Sequence, residues 1–260
     1  MTDQFFEEWL EKAKKVAVEA GEKILEVYNS DSFGEEIKAD KSPLTKADKE
    51  SHNAIVAVLD QSELPVLSEE GKNISYEDRK DWEYFWMVDP LDGTKEFIKR
   101  NGEFTVNIAL IHKNTSILGV VYVPVTGKMY WALKGKGAFT NENGGEATAL
   151  NCATFTDSDE NLKIIGSRSH MNEETQDFIA KYNNPEIVSM GSSLKFMLLA
   201  EGKAHIYPRI APTMEWDTAA AHIVVEEAGG TVKQFGKEES VVYNKANLLN
   251  PYFVAKGNLE

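Results

Sequence analysis

The chain has 260 residues, of which 42% are hydrophobic and 27% charged, enough apolar material for a sizeable core and too much for a disordered polypeptide. A formal charge of −14 excludes a broad electrostatic grip on a nucleic-acid polymer, which needs a basic face to displace counterions. No apolar run approaches the roughly 20 residues needed to cross a bilayer, and the acidic, aromatic start Met1-Thr2-Asp3-Gln4-Phe5-Phe6 is unlike a signal peptide.

In chain order, Phe6, Leu10, Ala13, Val16, Ala17, Ala20, Ile24 and Val27 recur at intervals of three and four and predict an amphipathic helix over 4–28. Ser42-Pro43 breaks the chain, and a second helix is predicted over 47–59, followed by a short strand at 65–67. Tyr84-Phe85-Trp86-Met87-Val88 reads as a buried strand running straight into Asp89-Pro90. The runs 105–112 and 117–122 bracket Lys113-Asn114-Thr115-Ser116 as a hairpin, with a third strand near 128–133. The Gly- and Asn-rich stretch 135–145 reads as a long turn and a soft border between an N-terminal half, 1–145, and a C-terminal half, 146–260, packed closely enough to count as one domain.

Beyond that border strands are predicted at 162–166, 187–189 and 204–207, and helices at 172–182, 192–201 and 216–228, the last ended by Gly229-Gly230. This mixed order predicts an α+β layered architecture with mixed and antiparallel sheets, not a doubly wound parallel one. The single cysteine, Cys152, cannot form an internal disulfide; it suits a reducing, cytoplasmic setting and a structural role.

Three separated segments place carboxylates at breaks in regular structure: Ser68-Glu69-Glu70-Gly71, Asp89-Pro90-Leu91-Asp92-Gly93-Thr94 and Glu215-Trp216-Asp217. Each has an ordinary reading, as a solvated loop, a turn or a helix cap. Asp89 resists it, because an apolar strand delivers that carboxylate to its own buried end, where a lone charge is costly. Pro90 fixes the backbone, Gly93 lets the chain turn into a helix near Thr94, and both aspartates can then face one cleft suited to hard divalent cations and a phosphate.

Asp89-Pro90-Leu91-Asp92-Gly93-Thr94 resembles the signature of the inositol monophosphatase superfamily of metal-dependent, lithium-inhibited phosphatases. Ser42-Pro43-Leu44-Thr45-Lys46-Ala47-Asp48, Ser68-Glu69-Glu70-Gly71 and Trp216-Asp217-Thr218-Ala219-Ala220 resemble its other motifs in the same order, over most of the chain. The resemblance implies a layered α/β/α/β/α sugar-phosphatase-like fold, with metal binding in the N-terminal half and substrate binding in the C-terminal half. It implies two or three Mg²⁺ held by Glu69, Asp89, Asp92, Asp217 and the main-chain carbonyl of Leu91. Thr94 and Asp48 are the implied catalytic pair beside the attacking water, with Glu70 supporting the ligands or sharing a metal. In-line attack without a phospho-enzyme is the implied chemistry.

Substrate contacts fall in the second half. Gly191-Ser192-Ser193-Leu194-Lys195-Phe196 opens a helix with free N–H groups, hydroxyls and a local cation, which fits an anion site and equally a capped helix with a solvated lysine. Ser167-Arg168-Ser169-His170 and Arg209 are further candidates. These segments resemble the CysQ-type 3′(2′),5′-bisphosphate nucleotidase branch of the superfamily. That implies hydrolysis of the 3′-phosphate of adenosine 3′,5′-bisphosphate, with Ser192, Lys195 and either His170 or Arg209 on the retained 5′-phosphate, and Gly93, Thr94 and Asp217 also touching substrate. A role in sulfur assimilation follows from the same branch.

An inositol or sugar-phosphate phosphatase, and a non-catalytic metal or nucleotide sensor, stay open as alternatives. The expected partner is a small phosphate ester, with no nucleic-acid polymer and no membrane insertion. A cytoplasmic monomer or homodimer is expected, with peripheral contact with the inner membrane left open. Leu259-Glu260 reads either as a tag remnant or as a natural end.

Overall fold

A computed structural model of the chain describes residues 1–30, 36–37, 43–71, 73–166 and 171–260, with backbone alone at 36–37 and 43–44. α1 (Asp3–Tyr28) starts at Thr2, whose Oγ1 accepts the Phe5 N–H, and buries one stripe that includes Trp9, Ala13, Val16, Ala20 and Ile24. α2 (Lys46–Leu59) lies beside it and opens with a reciprocal cap between Thr45 and Asp48.

Both helices cover one face of a seven-stranded sheet. In spatial and chain order its strands are β1 (Val66–Ser68), β2 (Tyr84–Asp92), β3 (Thr105–His112), β4 (Thr115–Val123), β5 (Lys128–Leu133), β6 (Ala138–Glu142) and β7 (Thr148–Ala149). Only the β1–β2 pairing is parallel. Alternate residues split between two cores: Trp86, Val88, Ile108, Leu110, Leu118 and Val120 face α1 and α2, whereas Phe85, Met87, Ala109, Ile111 and Val121 face the other way. Burial on both faces explains why β3 reads as a near-continuous apolar run.

The second core is closed by α5 (Leu194–Ala200) and α6 (Ala219–Glu227), behind which lies a five-stranded sheet. Its strands are β8 (Lys163–Ile165), β9 (Glu186–Val188), β10 (Ile206–Arg209), β11 (Thr231–Gln234) and β12 (Phe253–Lys256), in spatial order β9-β8-β10-β12-β11. The first three run parallel and the last two antiparallel. α4 (Glu173–Ile179) packs on the far face, joining Ile164 and Ile206 in a third cluster, so the layers are α/β/α/β/α. At Gly119 a Cβ would sit 2.2 Å from the Ala220 carbonyl oxygen, so the absence of a side chain there lets α6 reach the first sheet.

Several boundaries differ from those read in the sequence. The hairpin turn is tighter, with Thr115 already in β4, and the stretch 135–145 contains β6, whose alternation is weak and whose flanks are glycine and asparagine. The predicted strand at 204–207 is shifted to β10, and the helix expected from 216 begins at Ala219. β7, β11 and β12 carried no clear signal. The first sheet extends four residues past position 145, through β7.

No helix among the described residues is long and apolar enough to cross a membrane. Cys152 is buried behind α6, with its thiol pushed up to about 12 by burial. The native chain is therefore expected to react with a disulfide reagent at least about a hundredfold more slowly than the unfolded chain, a ratio that a timed labelling series measures directly.

Candidate active site

The C-terminal end of β2 carries the first two carboxylates. Asp89 pairs with Asn107 and Asp92 with Thr105, so β2 spends three steps where β3 spends two. Residues three apart on a regular strand face opposite sides; the extra bulge residue brings Asp89 and Asp92 to the same side. The Leu91 N–H donates to Asp89 Oδ1 at 3.1 Å, and Ser51 Oγ on α2 holds the Pro90 carbonyl at 2.7 Å. Gly93 follows at φ +96°, a left-handed turn that glycine adopts without strain, and α3 (Thr94–Ile98) begins immediately after it.

Parallel pairing of Ser68 with Val88 brings the end of β1 alongside, and the Glu69 N–H donates to the Val88 carbonyl at 3.1 Å. Glu69 is half-buried and shares a side-chain hydrogen bond with Asp89; Glu70 follows it, also half-buried, in the same turn. Asp217 approaches from the other half, in a turn whose Met214 N–H donates to its Oδ2 at 2.9 Å. Glu215 of the same motif points away. It is fully buried and accepts from the Asn244 N–H, the Lys245 N–H and, at 2.5 Å, Lys245 Nζ. Asn244 is held in turn by buried Arg79, whose Nη1 donates to its Oδ1 at 2.7 Å, and Asn250 Nδ2 holds the Met214 carbonyl at 2.8 Å.

Asp89 is 2% exposed, and burial, then Glu69, Asp92 and Asp217, hold its carboxyl well above the usual range. Burial and then Asp92 push Asp217 up to about 8, against the pull of the Met214 N–H and of Arg209. Among the described residues, no three acidic, histidine or cysteine side chains are already drawn together as a metal cluster. Each carboxylate has a partner within the protein instead: Glu69 for Asp89, serines for Asp92, and a backbone N–H for Asp217.

Thr94 Oγ1 lies 3.3 Å from Asp48 Oδ1, to which it donates, and 3.5 Å from the Leu91 carbonyl oxygen. Asp48 is 1% exposed, with its Oδ2 accepting from both the N–H and the hydroxyl of Thr45. Gly93 occupies the cap position of α3, and the Thr94 hydroxyl makes no capping bond, so it is turned to Asp48 rather than to its own helix.

A cavity of about 130 Å³ is lined by Asp92, Gly93, Ser192, Lys195, Arg209 and Asp217. Lys195 and Arg209 also line a cavity of about 490 Å³ with Tyr207, Met171 and Met190. Lys195 Nζ rests 3.3 Å from the Ser192 carbonyl, and Arg209 Nη2 donates to the Pro212 carbonyl at 2.7 Å while its buried Nε has no partner among the described residues. Ser42, Ser167, Arg168, Ser169 and His170 lie outside the described residues.

Sequence reasoning passed over Ser51, His52, Thr105 and Asn107, and placed Ser193 only within an anion-binding or capped helix start. His52 Nδ1 meets Ser68 Oγ at 2.9 Å beside the Glu69 turn, and burial holds its ring below the usual histidine range. Thr105 and Asn107 are a polar pair two residues apart in an otherwise apolar strand, and that spacing was the available signal.

The model of the inositol monophosphatase family matches residues 6–258. The chain is 43% identical over 247 residues to the 3′(2′),5′-bisphosphate nucleotidase CysQ of Salmonella typhimurium, covering 94% of this chain and 98% of that protein. It is 40% identical over 251 residues to the Buchnera aphidicola protein of the same name, covering 95% and 92%. Its fold is similar to the crystal structure of CysQ from Bacteroides thetaiotaomicron, described as a bacterial member of the inositol monophosphatase family. The TM-score is 0.87 at 45% identity, with 99% of this chain and 100% of that one covered.

Proposed function

The chain belongs to the inositol monophosphatase family and is a phosphoric monoester hydrolase, and we propose that it hydrolyses the 3′-phosphate of adenosine 3′,5′-bisphosphate to AMP and phosphate with Mg²⁺. The observation that carries this is the shape of the cleft: Asp92 and Asp217 line only the smaller cavity, whereas Lys195 and Arg209 line both. A substrate with two phosphates needs such a pair of regions, one with Asp92 and Asp217 for cations and one where Lys99, Lys195 and Arg209 outnumber Glu96 and Glu103 for the phosphate that stays.

The donor set fits hard divalent cations. All of its candidate atoms are oxygens, and three carboxylates, Glu69, Asp92 and Asp217, crowd around a buried Asp89, an arrangement that needs positive charge or protons to be tolerated. Glu69, Asp89, Asp92, Asp217 and the Leu91 carbonyl are the proposed ligands, with Glu70 in support. Bound ions supply neutralisation of the phosphoryl oxygens and activation of water.

The remaining work falls to the chain itself. As the water oxygen bonds to phosphorus and the bond to the 3′-oxygen breaks, Thr94 accepts the water's proton while passing its own to Asp48, along the observed Oγ1 to Oδ1 direction. The leaving 3′-oxygen takes a proton from solvent. Gly93 keeps the backbone beside Thr94 open to the phosphate, and Lys195 and Arg209 hold the 5′-phosphate; Ser192, expected from sequence to share that role, lines only the smaller cavity and donates its hydroxyl proton to Asp92 Oδ2 at 2.6 Å. His170, outside the described residues, belongs to the same proposed set. The setting is the cytoplasm and the physiological role is in sulfur assimilation.

Phosphate release from adenosine 3′,5′-bisphosphate, inositol 1-phosphate and fructose 1,6-bisphosphate, each with Mg²⁺ or EDTA, tests the reading. Fast, EDTA-sensitive release from the first and inhibition by millimolar Li⁺ are expected; absence of metal-dependent release from any ester sinks it. Lys195→Ala is expected to raise KM for the bisphosphate about tenfold or more and to leave inositol 1-phosphate hydrolysis unchanged. Equal, low rates on both esters in wild type would remove the nucleotidase assignment.

A further inference from the structure

Ser193 sits at the cap position of α5, yet its hydroxyl makes no bond to its own helix. A capping serine ordinarily spends its hydroxyl on those free N–H groups. Here the side chain is 2% exposed and lies between three elements: its Oγ is 2.6 Å from Asp92 Oδ2, 2.8 Å from the Asp217 carbonyl oxygen, and accepts from Asn107 Nδ2 at 2.8 Å. Because Asn107 donates to it, the single hydroxyl proton is free to go to Asp92 or Asp217.

The surrounding backbone is bent to suit. Ser192 has φ +52°, a left-handed conformation that costs a non-glycine residue free energy and persists only where its surroundings impose it. That bend brings the Ser192 hydroxyl and the Ser193 N–H to the same Asp92 Oδ2, each at 2.6 Å, with Asn107 Nδ2 at 3.3 Å. One carboxylate oxygen offers about two lone pairs, so the three short contacts, from the Ser192 hydroxyl and from the N–H and hydroxyl of Ser193, share Oδ2 between them, with Thr105 Oγ1 a more distant fifth donor at 3.5 Å. Among the described residues nothing donates to Oδ1.

We propose that Ser193 is the positioning residue of the metal site: its N–H holds Asp92 Oδ2, its hydroxyl proton is shared between that oxygen and the Asp217 carbonyl, and Oδ1 of Asp92 is left for the cation. The proposal rests on the assignment of Asp92 and Asp217 as ligands and adds which oxygen of Asp92 is available and what aims it. Ser192, read from sequence as a phosphate contact, shares in this clamp through its own hydroxyl.

The test is Mn²⁺ binding to the full chain without substrate, followed by the free-ion signal in electron paramagnetic resonance. Ser193→Ala keeps the backbone N–H and loses the hydroxyl; it is expected to weaken Mn²⁺ binding about tenfold, the usual scale for a residue that orients a ligand. The Mg²⁺ concentration for half-maximal turnover should rise with it, while KM at saturating Mg²⁺ stays within about twofold of wild type. A lowered melting temperature with unchanged Mn²⁺ affinity would mean a merely structural serine and overturns the proposal. Should Ser193→Ala not fold, Ser193→Cys, a weak donor of similar shape, carries the same expectation and the same refutation. Wild type that binds Mn²⁺ but releases no phosphate defeats the activity reading alone; Ser193→Ala with wild-type affinity defeats this one alone.

Discussion

Asp89→Asn is expected to lower kcat/KM for adenosine 3′,5′-bisphosphate by at least about a thousandfold, roughly 4 kcal/mol of transition-state stabilisation, while leaving the fold intact. The amide keeps the shape and can still accept the Leu91 N–H, but it removes one ionisable carboxyl from the group formed with Glu69, Asp92 and Asp217. Crowding of this kind stores unfavourable free energy in the ion-free protein, so the same variant should melt higher than wild type in EDTA. A variant retaining more than about a tenth of wild-type rate would refute the role given to Asp89.

The pH dependence has a definite sign. Asp89 and Asp217 hold their protons more tightly folded than unfolded, so their contribution favours the native state at low pH. It is lost as pH rises from the ordinary carboxylate range toward about 8, the value for Asp217. Melting temperature in EDTA should therefore fall over that window through these two groups, less steeply in Asp89→Asn. Added Mg²⁺ near its upper end should restore it, because an ion bound only by the native state stabilises by mass action. A wild-type slope unchanged by Asp89→Asn would contradict the crowding.

Thr94→Ala should lower kcat about a hundredfold or more, within the range of general acid-base catalysis, with KM and the Mg²⁺ requirement close to wild type. Thr94 contributes no capping bond to α3 but donates to the buried Asp48 carboxylate, so the alanine variant should also lose about 1 kcal/mol of stability. Thr94→Ser keeps the Oγ1 that faces Asp48 and should retain most activity. Asp48→Asn is a less clean probe, since that carboxylate also closes the cap of α2 through the Thr45 N–H. Equal loss in the serine and alanine variants would show that the hydroxyl is not the operative group.

The parts of the architecture legible in the sequence are those where one period dominates: the 3.6-residue stripe of α1, the apolar runs of β2 to β5, and the turn at Gly93. β6, β7 and β11 are short, flanked by glycine or polar residues, and gain their identity from neighbours distant in sequence. At the site, carboxylates could be grouped from sequence because an apolar strand ending in Asp89 demands compensation. The partners that aim them could not. Whether Ser193 caps its helix or clamps Asp92, and whether Glu215 turns to the cleft or to Lys245, depends on contacts formed only when distant segments meet.

The anchoring of the Asp217 turn has a bearing on how the molecule is born. Glu215 is gripped by residues 244 and 245, Met214 by Asn250, and Asn244 by Arg79, a partner 165 positions upstream. During synthesis, the helices and β2 to β5 can associate from local contacts while the ribosome is still translating the second sheet; the Asp217 turn cannot settle until residue 250 has emerged. The nascent chain can thus assemble its scaffold before the Asp217 turn has the partners that anchor it.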